Sequence, residues 1–328
     1  MQPSEAPVRT SLVAGGAGFL GSHLIDHLLG EGRAVICVDS FLTGSAENIA
    51  RFEDCKDFTF VRQDILTPLQ IERDVDEVYN LACAASPPRY QADPHHTLMT
   101  SIVGSSNLLE WAAARGARFL QASTSEVYGD PEVHPQAEDY AGSVNCTGPR
   151  ACYDEGKRAA EAMCFDFLRL GRADVRVARI FNTYGPRMRA DDGRIVSNFI
   201  VQALSGEELT VFGDGSQTRS FCYVSDLIEG LVRLMRVDPN PGMPVNLGNP
   251  LEFTVGELAA RISRKIPSSG SVRRLPLPQD DPRRRRPNIE RAASLLGWSP
   301  KVGLDEGLSQ TIAWFAQCMK TTRSGAAE

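Results

Sequence analysis

Tyr153 and Lys157 stand four residues apart in the run Ala-Cys-Tyr-Asp-Glu-Gly-Lys, so on a helix their side chains stack on one face. A lysine ammonium beside a phenol favours the phenolate. Lowering a phenol pKa by about three units takes roughly 4 kcal/mol, enough to make tyrosine a base near neutral pH. Far upstream, Gly15, Gly18 and Gly21 form G-x-x-G-x-x-G, with Phe19 and Leu20 between the last two. Glycines at that spacing, after the apolar run Ser11 to Ala14, suit a tight turn whose backbone approaches a pyrophosphate at a helix N-terminus. Asp39 ends the next apolar run, where a carboxylate accepts from both ribose hydroxyls and repels a 2′-phosphate, so NAD is expected rather than NADP. Asp64 and Ile65, after a third run, suit an adenine: a carboxylate for its amine and an apolar face for its ring. The triplet Thr124, Ser125, Glu126 ends a further run beside this cofactor site.

These groups need a scaffold, and the apolar runs supply one. Ser11 to Ala14, Val35 to Asp39, Phe58 to Gln63, Glu77 to Ala82, Phe119 to Ser123 and Val175 to Arg179 read as strands. Between them, Gly21 to Gly30 and Ser105 to Arg115 carry helical periodicity. Strand–helix alternation with nearly continuous apolar strands predicts an α/β, Rossmann-type doubly wound parallel sheet, joined to a smaller C-terminal α/β substrate domain. The expected division is an NAD-binding unit over 1–183 and a second unit over 184–328. In the second, Ser197 to Leu204 and Ser225 to Met235 read as helices, with a turn at Gly213 to Gly215 and Pro- and Arg-rich loops from Pro276 to Pro287. The strand-like Val245 to Leu247 is a candidate to return to the first sheet, which would interleave the two units.

The chain has 328 residues, 42% hydrophobic and 23% charged, which excludes disorder, collagen-like repeats and coiled coil as whole-chain readings. A net charge of −6 argues against nucleic-acid binding, and Asp280 and Asp281 before the run Arg283 to Arg286 make that run a solvated loop rather than a nucleic-acid patch. No apolar run approaches the roughly 20 residues that span a bilayer, and no basic segment precedes an apolar stretch at the N-terminus, so no membrane partner and a cytoplasmic location are expected. Eight scattered cysteines lack metal-ligand spacing and read as buried thiols. His23 and His27 could share a metal on a helix, but without a following glutamate they read as packing or surface residues, so no metal is expected.

Four longer blocks carry a resemblance: Ala122 to Pro131 (ASTSEVYGDP), Pro149 to Arg158 (PRACYDEGKR), Arg179 to Met188 (RIFNTYGPRM) and Asp280 to Ile289 (DDPRRRRPNI). With the glycine loop they resemble the extended short-chain dehydrogenase/reductases, and within them the UDP-glucuronate decarboxylase (UDP-xylose synthase) family, over essentially the family's whole length. The resemblance implies NAD-dependent oxidation of UDP-glucuronate at C4, loss of the C6 carboxylate from the 4-keto sugar, and release of UDP-xylose, the UDP-4-keto-pentose or both. It makes Tyr153 the base at the C4 hydroxyl, with Lys157 its partner and Thr124 holding that hydroxyl. Glu126 is then placed near C5 as a positioning group and water-borne proton relay, and Arg285, near the C5 centre, orients the carboxylate and assists protonation there. Arg219 matches a phosphate-binding arginine; Asn182, Val196 and Asn198 match positions near the phosphates and sugar, with Arg194 beside them. Tyr90 matches a loop over the sugar, and Thr100 and Thr183 are cofactor neighbours. Serine at 125, where sugar dehydratases carry an aspartic acid that protonates a departing C6 hydroxyl, disfavours the alternative of a 4,6-dehydratase; Glu126 disfavours a 4-epimerase. Cys146 and Thr147 depart from the family's Pro-Ile before Gly-Pro-Arg, in a loop close to the sugar. A homodimer pairing the Tyr153 helix is also implied.

Overall fold

The computed structural model describes residues 8–267, 269–277 and 284–325. Its centre is β1 (Thr10–Ala14), every residue of which is buried. A strand covered on both faces has no polar side to present, which is why the run reads apolar without alternation. The chain then forms α1 (Phe19–Gly30) and the equally buried β2 (Ala34–Asp39), followed by β3 (Phe58–Arg62) and β4 (Glu77–Asn80). Short α2 (Pro87–Tyr90), α3 (Pro94–Met99) and α4 (Ser105–Ala113) lead to β5 (Arg118–Thr124), and α5 (Ala151–Arg169) leads to β6 (Val175–Ile180). The expected strands and helices of this half all form, with ends that differ by a residue or two.

Beyond β6 come β7 (Thr183–Tyr184), α6 (Ile195–Ser205), β8 (Leu209–Phe212), β9 (Thr218–Ser220), β10 (Cys222–Tyr223) and α7 (Val224–Arg236). They are followed by β11 (Val245–Leu247), β12 (Glu252–Thr254), α8 (Val255–Lys265), β13 (Val272–Leu275), β14 (Arg284–Arg285), α9 (Glu290–Leu296) and α10 (Leu304–Gly325). β11 pairs in parallel with β6, giving a seven-stranded sheet in the order β11-β6-β5-β4-β1-β2-β3. The order reverses between β1 and β4, and at such a switch point the loops after the strands part to leave a ligand crevice.

The arginine run departs from the expected solvated loop. Arg284 and Arg285 form a strand parallel to β9, with Arg285 opposite Arg219, and Arg285 is buried. Arg283, Asp280 and Asp281 lie outside the described residues. Cysteine burial is also uneven: Cys37, Cys164 and Cys222 are buried, whereas Cys146 is exposed. Its departing position on an irregular segment before α5 gives its side chain no core to enter. His23 packs: its ring N–H donates to the Pro186 carbonyl at 2.9 Å, and burial lowers its pKa to about 4.

One buried residue fastens the second half to the sheet. Asn246 on β11 accepts from the Tyr128 hydroxyl at 2.7 Å and donates to the carbonyls of Gln136 at 3.0 Å and Asn288 at 3.1 Å. Alanine there would remove three hydrogen bonds at about 0.5–1.5 kcal/mol each, although the Tyr128 hydroxyl keeps Arg179 at 3.1 Å and the Gln136 carbonyl keeps the Asn288 amide at 2.8 Å. Asn246→Ala is therefore expected to lower the unfolding free energy by about 2–4 kcal/mol in a denaturant titration.

Candidate active site

The crevice at the sheet's switch point collects residues from both halves of the chain. Gly15 adopts φ +76°, and a Cβ there would lie 2.8 Å from the Ala82 nitrogen. A Cβ on Gly21 would lie 2.2 Å from the Gly15 carbonyl oxygen, so α1 packs against the turn only with glycine at that position. Gly18 caps α1 without a side-chain hydrogen bond, leaving the first-turn N–H groups of the helix directed at the crevice. Phe19 and Leu20 line the same wall. This backbone cradle and the donors at its mouth fit a dinucleotide pyrophosphate.

Asp39 stands at the end of β2 on the crevice wall, its carboxylate accepting from the Ala17 amide at 3.0 Å and the Phe41 amide at 2.8 Å. Burial pushes that carboxyl up, and the two amides pull it back. Asp64 and Ile65, just beyond β3, line the same cavity next to Asp39. Asp64 accepts from the Leu66 amide and meets the His96 ring at 2.8 Å, a partner that the sequence reading passed over. Thr100 and Thr183 also border the crevice.

Thr124, Glu126, Tyr153, Lys157, Asn182 and Arg194 line the inner part of the same cavity. Tyr153 and Lys157 project from α5 as their spacing requires, with the Lys157 ammonium 5.8 Å from the Tyr153 ring centre. The electrostatics differ from expectation. The Lys157 ammonium donates to the Ala122 carbonyl at 2.9 Å. Burial drives the Tyr153 phenol well above its ordinary range, the neighbouring Cys83 and Glu126 add to the shift, and contact with the Thr124 hydroxyl pulls the other way. Lysine spacing alone does not produce a phenolate here, because the phenol is deeply desolvated.

Glu126 is bound by two guanidinium groups. Arg150 donates to its Oε2 at 2.6 Å, and Arg285 engages both oxygens, with Nη2 to Oε2 at 2.8 Å. Burial would raise this carboxyl, but Arg285 and Arg150 outweigh it and hold it at about 2. The two guanidinium groups thus hold Glu126 charged near neutral pH and fix its orientation. Tyr90 lies outside the crevice lining, its ring stacked on Tyr153 at 5.0 Å and 5° between planes.

The remaining expected ligands are not all brought to one wall. Arg194 pairs with Asp192, Nη2 to Oδ1 at 3.0 Å. Arg219 is buried on β9 and donates to the Thr218 carbonyl at 2.8 Å. The Val196 side chain is in the core, and the Asn198 amide donates to the Gly193 carbonyl at 3.0 Å. Two cluster residues went unread in the sequence although they flank Tyr153 in the quoted block: Arg150 and Asp154. Their four-residue spacing on one helix face was the available signal. Asp154 is buried, and its Oδ1 has no hydrogen-bond partner. Burial, then the Glu126 charge, raises its carboxyl to about 7 against the pull of Arg150 and Arg285.

Residues 11–248 match the NAD dependent epimerase/dehydratase family. The chain belongs to that family. Among its relatives, UDP-glucuronic acid decarboxylase 1 of Danio rerio is 54% identical over 314 residues, covering 96% of this chain and 74% of the fish protein. UDP-glucuronic acid decarboxylase 3 of Arabidopsis thaliana is 51% identical over 316 residues, covering 93% of this chain and 91% of the plant protein. A solved structure of UDP-glucuronic acid 4-epimerase from Bacillus cereus, in complex with UDP-glucuronic acid and NAD, superposes with TM-score 0.85 at 29% identity, covering 94% of this chain and 99% of the other. UDP-glucose 4-epimerase of Thermotoga maritima superposes with TM-score 0.87 at 30% identity, covering 94% and 99%. The doubly wound fold is thus common to this family member and to enzymes named as 4-epimerases.

The Glu126 triad has a pH signature. Its carboxyl lies below the ordinary value of 4.5, at about 2, so its contribution to stability is present above pH 4.5 and lost as pH falls toward 2. Glu126→Gln should flatten that part of the acid-unfolding curve, read by denaturant melts across the same pH range. At neutral pH it should destabilise by about 3–5 kcal/mol, because buried Arg285 and Arg150 lose the carboxylate they share.

Proposed function

We propose that this protein is an NAD-dependent decarboxylase of UDP-glucuronate that acts through a UDP-4-keto-hexuronate. The observation that carries the reading is Arg285, which β14 brings from late in the chain and buries against Glu126, two residues after Thr124 on the crevice wall. A guanidinium so placed suits a substrate that bears a carboxylate at the reacting end. Identity of 51–54% to proteins named UDP-glucuronic acid decarboxylase supports it.

Gly15, Gly18 and Gly21 with the first turn of α1 would hold the cofactor's pyrophosphate, Asp39 the ribose, and Asp64 with Ile65 the adenine. A nicotinamide bound there would supply the sink for the two electrons and the hydrogen that leave C4; their return would give UDP-xylose and early product release the UDP-4-keto-pentose. Tyr153 takes the proton of the C4 hydroxyl while Thr124 orients that hydroxyl. The Lys157 ammonium, 5.8 Å from the Tyr153 ring centre, is a positive charge that opposes the desolvation holding Tyr153 neutral. The C4 ketone lies β to the carboxylate, so the C5–C6 electron pair has an enolate oxygen to flow into, with the Tyr153 and Thr124 hydroxyls as its donors. Arg285 faces the carboxylate before it leaves, and Glu126 fixes the orientation of that arginine. Arg219, Arg194 and Asn182 take the diphosphate, and Val196 and Asn198 contribute from the start of α6. Ser125 offers no strong acid to a C6 hydroxyl, which sets the site apart from a dehydratase. Two copies pair across α5 in this reading, and sedimentation at working concentration checks it.

Incubation of the purified protein with UDP-glucuronate and NAD⁺ should release carbon dioxide and yield a nucleotide of pentose or keto-pentose mass. Recovery of unaltered carboxylated sugar would overturn the reading. Tyr153→Phe should lower turnover at least about 10³-fold with NAD⁺ still binding by calorimetry.

A further inference from the structure

An irregular segment, residues 186–194 between β7 and α6, is tied to both rims of the crevice. On the α1 side the Pro186 carbonyl accepts from the His23 ring at 2.9 Å, and Arg187 pairs with Asp26. Arg187 takes φ +67°, a left-handed backbone uncommon for a residue with a side chain. The segment ends with the Arg194 guanidinium 5.7 Å from the centre of the Phe19 ring, at the first turn of α1. On the α2 side Gly193 lies against Pro88: its φ is +87°, and a Cβ there would come within 2.6 Å of the proline ring. Nearby, Asp191 forms an ion pair with Arg89 of α2, whose guanidinium also donates to the Asp191 carbonyl at 3.3 Å. The same carboxylate takes Arg189, Nε to Oδ1 at 2.9 Å and Nη2 to Oδ2 at 3.2 Å.

α1 follows β1 and α2 follows β4, the two strands between which the sheet order reverses, so the segment crosses the crevice at its switch point. Arg89, Arg187, Arg189 and Arg194 line the cavity along this crossing. A dinucleotide with its pyrophosphate on the first turn of α1 would lie under it. We propose that the Asp191 bridge between Arg89 and Arg189 fastens this strap over the bound cofactor, and that the fastening decides which product accumulates. The part concerning product rests on the reading of the site as a UDP-glucuronate decarboxylase.

The link to product follows from where the electrons are. Oxidation at C4 passes a hydride to NAD⁺ and the hydroxyl proton to Tyr153. Loss of carbon dioxide, with a proton from water taken up at C5, leaves UDP-4-keto-pentose beside NADH. Return of the hydride to C4, and of the Tyr153 proton to its oxygen, gives UDP-xylose and restores NAD⁺. If the keto sugar leaves first, the enzyme is left with NADH and starts no further oxidation until NADH is exchanged for NAD⁺. A protein that retains NADH reduces the keto sugar when it rebinds, so UDP-xylose accumulates. One that lets NADH go accumulates UDP-4-keto-pentose and consumes one NAD⁺ for each. The fastener is built to open: the Asp191 side chain is 60% exposed, and exposed ion pairs are weak and sensitive to salt. Contact with Arg189, then with Arg89, holds the Asp191 carboxyl well below its ordinary range, so the bridge stays charged near neutral pH.

The test is the rate at which bound NADH leaves the enzyme, followed by nicotinamide fluorescence after mixing with excess NAD⁺, which needs no turnover. Asp191→Asn should speed release about 3–10-fold, the scale of an exposed charge network. The sign is decisive, because Asp191 is not among the residues that line the cavity and its charge is negative. As a mere charge near an anionic dinucleotide, its loss would slow release. Asp191→Glu should recover part of the wild-type rate. Gly193→Ala, whose methyl group pushes the strap off Pro88, should speed release at least as much as Asp191→Asn. Raising salt from about 0.05 to about 0.5 M should speed release more in the wild type than in Asp191→Asn. With UDP-glucuronate and NAD⁺, the ratio of UDP-4-keto-pentose to UDP-xylose, read by mass spectrometry, should rise with the release rate. The first-turnover rate of carbon dioxide formation in Asp191→Asn should match the wild type. Release from Asp191→Asn at or below the wild-type rate overturns the strap, and faster release with an unchanged product ratio overturns its part in product choice. A wild-type enzyme that forms no carbon dioxide overturns the parent reading, while NADH release still decides the strap.

Discussion

Glu126 sits between Arg150 and Arg285, and these three charges come from three distant parts of the chain: the end of β5, the start of α5 and the late strand β14. Buried ions are tolerated only when their counter-charges are in place. The cluster can therefore form only after the sheet, the Tyr153 helix and the C-terminal half have come together. β14 reaches it because it pairs with β9, and Gln136 holds the adjoining Arg286 and Asn288 backbones at 2.8 Å each. An enzyme that binds its sugar between two halves needs them in register before chemistry starts. A charge cluster spanning the seam meets that need without relying on the sugar itself.

The same burial that orders the cluster sets its proton chemistry. In one small volume it holds Glu126 as an anion and pushes the Tyr153 phenol and the Asp154 carboxyl toward their neutral forms. Desolvation acts on all three alike. What separates them is whether a guanidinium lies in direct contact: Glu126 has two, while Oδ1 of Asp154 has no hydrogen-bond partner. Groups driven apart in this way are how one site comes to hold a charge and a proton side by side.

Membership of the NAD dependent epimerase/dehydratase family explains the sheet and the glycine cradle, but a fold that also hosts sugar epimerases does not choose a reaction. The choice lies in a few side chains at the mouth of the crevice. Ser125 presents no acid, and Glu126 is engaged by Arg150 and Arg285, which fixes its orientation at the crevice wall.

Much of this was legible in the chain alone. The apolar runs determined the strands, because a strand buried on both faces tolerates no polar alternation, and the return of Val245–Leu247 to the sheet was visible as a run of the same kind. Gly15, Gly21, Asp39 and the Tyr153–Lys157 pair were readable because backbone clearance and helical spacing are local properties. Only the tertiary structure decided the charge states. The resemblance singled out Arg285 in a run expected to be a solvated loop, but not its burial on Glu126, and Asp154, which drew no reading, is buried as well. Ionisation depends on distance to other charges and on the loss of water, and both are settled by segments far apart in sequence. No spacing within a single block encodes them.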